Sequence, residues 1–182
     1  PVLAGWCVRR PWWAALAATG HASAEELRAV RERDETSLAP IRLERALSAR
    51  PDAEVKAATW QALIEEVDAS NDLVTARITG WAQPGQEAVR PDHLRDYLAA
   101  LEPVWRTRGQ EMAERILEPA FPGELDLVDA PGQDAVEHPV VVACTRWLAE
   151  HPDAPRALRA VVIEGVDDAL RSLRAQAARP LR

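Results

Sequence analysis

The chain has 182 residues, enough for one sizeable domain or two very small ones. It is 47% hydrophobic, rich in Ala and Leu, and nearly free of alternating β-branched runs, which points to an all-α protein. The formal net charge of -7 argues against a general nucleic-acid surface, because phosphate binding needs a net basic face.

Residues 1–8 read as an apolar opening, the remnant of a preceding helix. Arg10-Pro11-Trp12-Trp13 then starts a helix, with Pro tolerated in its opening turn. Trp13, Leu16 and Ala17 form its predicted inner face, and Gly20 ends it. Ser23-Ala24-Glu25-Glu26 is a capping box for a second helix, with Leu27 and Val30 inward. Residues 31–35 are a charged, solvated link. A third helix is expected over Ser37–Ala49. Asp52 can cap a fourth, on which Trp60, Leu63, Ile64 and Val67 recur at helical spacing.

The central stretch is Ser70 to Gln86. Ser70 or Asn71 can cap its start, Val74, Ile78 and Trp81 share one stripe, and Gln83-Pro84-Gly85 stops it. A wide apolar face on so short a helix implies burial between neighbours. A sixth helix is expected over Pro91–Leu101, interrupted by Pro103, with a second segment reaching Ala120. Residues 123–137 read as mostly loop with one short helix. Two longer helices follow, Pro139–Glu150 and Ala154 to about Ala178. The expectation is about eight helices in stacked antiparallel pairs. Short polar links favour an irregular α-solenoid of the HEAT/armadillo kind, as one domain over 1–182.

Chemistry is notable for what is missing. There is no His-Glu-x-x-His, nucleophile elbow, phosphate-binding glycine loop or dinucleotide fingerprint. Cys7 and Cys144 lie far apart without ligand spacing, so buried, reduced thiols of a cytoplasmic protein are expected. His21, His93, His138 and His151 each sit near a turn or helix end, which suits capping better than metal binding. Glu65-Glu66 and Asp167-Asp168 are adjacent pairs, and adjacent residues point apart on a helix. No catalytic and no metal-ligating residue is assigned. No apolar run approaches the ~20 residues of a membrane span.

An ordered series of residues does carry a family likeness. It runs through Arg50-Pro51, Glu54, Lys56-Ala57-Ala58 and Trp60, then Ser70-Asn71 and Gly80-Trp81. Gln83-Pro84-Gly85-Gln86 and Tyr97 follow, then Trp105, Arg108, Glu111 and Ala113, closing at Phe121-Pro122. In this order residues 50–122 resemble the C-terminal helical domain of zinc aminopeptidases of the aminopeptidase N family, particularly actinobacterial ones. The departures at Trp81, Leu98 and Gly109 are on the scale of packing. The resemblance implies a piece of a longer polypeptide that caps the catalytic domain, encloses the chamber and limits which peptides reach the zinc. It implies no cofactor in this chain, zinc in the parent catalytic domain, and that domain and peptide substrates as partners. Asn71, Arg77, Gln83 and Gln86 are candidate chamber-lining residues because they cluster on or beside the central helix. Arg77 calls for an acidic partner, either a peptide carboxylate or an acid on a neighbouring helix. The competing function is a stand-alone helical module that binds peptides or proteins.

Overall fold

A computed structural model describes residues 12–123 and 134–178. The expectations for residues 1–8, for Cys7 and for most of the 123–137 loop fall outside the described residues. All regular structure among those described is helical. Among the described residues there are nine α-helices: α1 (Trp12–Ala18), α2 (Ala24–Arg31), α3 (Ala39–Ser48), α4 (Ala53–Glu65), α5 (Asn71–Trp81), α6 (His93–Thr107), α7 (Gln110–Leu117), α8 (Pro139–Glu150) and α9 (Arg156–Ala177). Short 3-10 turns cover Glu87–Val89 and Ala135–Glu137. The chain divides into two compact units, Pro1–Pro91 and Asp92–Arg182.

In the first unit the helix starts follow local chemistry. Ser23 Oγ accepts from the Glu26 amide at 3.1 Å, and the Glu26 carboxylate accepts from the Ser23 amide at 2.9 Å, completing the capping box of α2. Asp52 Oδ1 accepts from the amides of Glu54 and Val55 at the start of α4, and Ser70 Oγ accepts from Leu73 at the start of α5. Helix α3 is the centre, packed by α1, α2 and α5. Ala17, Leu27, Ala46 and Ala49 form a core cluster, with Trp13, Leu43 and Leu47 packed around it. Leu16, expected on the inner face of α1, is exposed, because the helix buries the Ala17 side. Val67 is also exposed, since α4 ends at Glu65 before the apolar spacing reaches it.

The α3–α5 crossing is set by a missing side chain. A Cβ on Gly80 would sit 2.8 Å from Ser48 Cβ and press on the Arg45 carbonyl oxygen. Only glycine lets the two backbones come this close.

In the second unit α6 and α7 form one antiparallel hairpin and α8 and α9 another. His93 Nε2, at the start of α6, lies 2.6 Å from the Ala120 carbonyl just past α7. Tyr97 is fully buried and meets the Phe121 ring edge-on, centroids 5.7 Å apart. Phe121 in turn occupies a notch at Gly165 of α9, where a Cβ would fall 2.7 Å from its Cγ.

The expected interruption at Pro103 does not occur: α6 runs through it to Thr107. Proline removes the hydrogen bond to the carbonyl four residues back, here Ala99. Ala99 and Pro103 are both on the exposed face of the helix, away from the buried core. The break comes instead at Arg108, whose backbone is extended, with φ -116° and ψ 156°. Trp60, Trp81 and Trp147 are buried, and Trp105 is half-buried.

Replacing Gly80 by Ala should destabilise the chain by about 3 kcal/mol in urea unfolding, through overpacking at the α3–α5 crossing. Gly109→Ser, at a position with open space around it, should change stability by less than about 0.5 kcal/mol.

Candidate functional site

The four candidate residues occupy different environments. Asn71 opens α5 and is exposed; its carbonyl accepts from Thr75 Oγ1 at 2.8 Å. Arg77, half-buried at mid-helix, is held between two acids of the same unit. Its Nε donates to Glu44 of α3 at 3.3 Å, and its Nη1 donates to Glu66, just past α4, at 2.5 Å. Burial works against the guanidinium charge, but the Glu66 and Glu44 carboxylates outweigh it and raise the pKa. The partner of Arg77 here is therefore the internal ion pair. Gln83 donates from Nε2 to the Thr79 carbonyl at 2.7 Å, tying off the last turn of α5.

Gln86 is buried, 5% exposed, and bridges two helix ends. Its Nε2 donates to Ala18, the last residue of α1, at 2.8 Å and to Ala49, the cap of α3, at 3.0 Å. Arg90 braces the same turn, donating to the carbonyls of Gln86 at 3.4 Å and Gln83 at 3.5 Å. Asn71 and Gln86 thus lie at opposite ends of a helix about 16 Å long. Gln83 and Gln86 are brought together; Asn71 and Arg77 do not join them.

The residue that organises this end enters the sequence only as part of the family likeness, with no role assigned to it. Lys56, in the first turns of α4, is 1% exposed. Its Nζ donates to the carbonyls of Ser48 at 2.9 Å, Gly80 at 3.2 Å and Trp81 at 3.0 Å. Those oxygens close α3 and α5, where the last carbonyls lack helical partners and the helix dipole is negative. An ammonium has three donors, and all three are used. Trp81 Nε1 returns a bond to the Lys56 carbonyl at 3.0 Å. Trp60 stacks on Trp81 at 5.1 Å, and the Arg90 guanidinium lies 4.5 Å from the centroid of the Trp81 ring. Burial, and secondarily the charge of Arg90, push Lys56 down to about 7. One signal was available beforehand: Lys56 is the only lysine in a chain whose other cations are Arg.

Two histidines are engaged in the same structural way. His138 accepts from the Val140 amide at the start of α8, and His151 Nδ1 lies 2.8 Å from the Trp147 carbonyl at its end. Burial pushes the Cys144 thiol up to about 12, far from the thiolate a nucleophile needs. Among the described residues no three His, Cys, Asp or Glu side chains converge to hold a metal. Open clefts lie among the described residues of the second unit, two of them as follows. One, of about 420 Å³ between α6 and α8, has Leu98, Glu102, Trp147 and His151 in its lining. The other, of about 450 Å³ beside α9, is lined by Glu118, Phe121, Glu164 and Asp168 among others.

Comparison with known proteins places this architecture. The sequence profile of the ERAP1-like C-terminal domain matches residues 8–137. Aminopeptidase N of Streptomyces lividans is 33% identical over 164 residues, which covers 90% of this chain and 18% of that protein. The chain thus spans under a fifth of the length of this curated relative.

Lys56→Met should lower stability by about 3 kcal/mol or more, because three buried carbonyls lose their donor together. Arg77→Ala should cost about 1 kcal/mol, since both of its acids are partly exposed to water. Urea unfolding followed by Trp fluorescence measures both, and the order Lys56 above Arg77 is the expected result.

Proposed function

Because the chain belongs to the ERAP1-like C-terminal domain family, we propose that it is the non-catalytic cap of a zinc-dependent aminopeptidase. In this proposal it packs on the catalytic domain of the same polypeptide, encloses the active-site chamber and gates peptides by length. The observation that carries it is the 33% identity, across nearly the whole chain, to a protein named as an aminopeptidase N. In this reading the zinc belongs to the catalytic domain.

Two structural features favour a scaffold over an independent catalyst. Arg77, Gln86 and Lys56 are engaged by partners within the first unit, which leaves them to hold its helices together. The antiparallel helix pairs within each unit suit a solenoid-like stack, whose curved surface can wall a chamber. Enclosure excludes water and bulky substrates and helps to orient what enters. Of the four candidate residues, Asn71 is the one left exposed to meet a substrate.

The test uses the full-length parent enzyme, assayed on a dipeptide amide and on longer peptides. Asn71→Trp should raise KM for the longer peptides by about tenfold while leaving the dipeptide amide unchanged. Arg77→Ala should instead lower Tm and reduce turnover of every substrate alike, as loss of an internal ion pair would. An Asn71→Trp enzyme with an unaltered length profile would remove Asn71 from the chamber wall. A parent enzyme whose length profile survives deletion of this chain would overturn the cap itself.

A further inference from the structure

A buried ammonium without a carboxylate is unusual, because charge removed from water is normally paired. Among the described residues Lys56 has no such pair. Helices α3 and α5 face it with carbonyl oxygens, and the charge that acts on it is another cation, Arg90. On its own helix the Asp52 carboxylate is turned to the amides of Glu54 and Val55 and lies 3.6 Å from Arg50. Two opposing tendencies therefore meet at one nitrogen. Desolvation and Arg90 favour the neutral amine, while three carbonyls at the negative ends of two helices favour the ammonium.

We propose that Lys56 is a proton-linked latch for the carboxyl-terminal ends of α3 and α5. As an ammonium it serves the carbonyls of Ser48, Gly80 and Trp81 together. On releasing a proton to solvent it keeps two N–H donors and turns a lone pair toward the third oxygen, so one carbonyl is left unsatisfied and that end of the first unit loosens. Burial that pushes Lys56 down to about 7 brings this change close to neutral pH. The inference concerns the first unit alone and does not depend on the cap function.

The linkage has a definite sign. An exposed lysine in the unfolded chain titrates at about 10.4. Between that value and about 7 the folded chain holds fewer protons than the unfolded one. The proton-linked part of the Lys56 contribution to stability is therefore complete above about 10.4 and is lost as pH falls toward 7. Stability should thus rise with pH across this window, even as the local hydrogen bonding thins.

The single lysine makes the test direct. With ¹⁵N-lysine labelling the full chain shows one side-chain nitrogen signal, and ¹³C labelling reports the carbonyls of Ser48, Gly80 and Trp81. The expected result is a Lys56 midpoint roughly three pH units below an ordinary lysine, with the three carbonyl signals moving at the same midpoint. A midpoint near that of free lysine, or carbonyl signals that stay flat through the Lys56 titration, would overturn the latch. Urea midpoints of the wild type minus those of Lys56→Met give a second reading. The difference should grow in favour of the wild type as pH rises from about 7, and a flat or falling difference counts against the proposal.

Discussion

Helix ends that stop inside a protein pose a problem of unsatisfied oxygen. The last carbonyls of a helix have no partner four residues on, and water normally serves them. In the first unit α1, α3 and α5 all finish at one end, and α3 and α5 cross so closely that only Gly80 fits between them. Close packing excludes water, so the protein must supply donors. Lys56 and Gln86 do so, between them serving oxygens of all three helices. Glycine and lysine are thus two halves of one arrangement: the first creates the dry crossing, and the second makes it tolerable. Arginine would not substitute well, because its rigid planar fork cannot direct donors at three oxygens gathered around one point.

The second unit meets the same constraint with the same placement. Arg159 is the fourth residue of α9, as Lys56 is the fourth of α4. It reaches back to the carbonyls of Leu148 and His151 at the end of α8, at 2.7 and 2.6 Å. A cation one turn into a helix that closes the end of the preceding helix recurs at α3–α4 and at α8–α9. At α9 the oxygens are half-exposed and Arg serves; at α4 they are buried and Lys serves. This division follows from geometry and hydration and needs no sequence repeat.

What could be read beforehand was local. Ser23, Asp52, Ser70 and Pro139 mark helix starts through chemistry contained within a few residues, and each start is where it was expected. Trp60 and Trp81 were legible as core anchors from spacing and size. The failures have tertiary causes. Pro103 breaks no helix because its face is exposed, which a proline in isolation does not reveal. Leu16 and Val67 fit an apolar stripe that their helices do not bury. Gln86 is legible in the sequence as a polar candidate, yet its role depends on Ala18 and Ala49, residues distant in the chain. Lys56 was hidden by the usual expectation that lysine is solvated.

Sealing the sole lysine has a practical side. Amine-directed reagents, such as activated esters used for biotin, dyes or surface coupling, need a deprotonated amine that solvent can reach. In the folded state no side-chain amine of this chain is offered to them, since Lys56 is 1% exposed. Cleavage by a lysine-specific protease is blocked for the same reason. Acylation or cleavage at residue 56 therefore registers opening of the first unit and little else, giving the molecule a built-in chemical gauge of its own integrity.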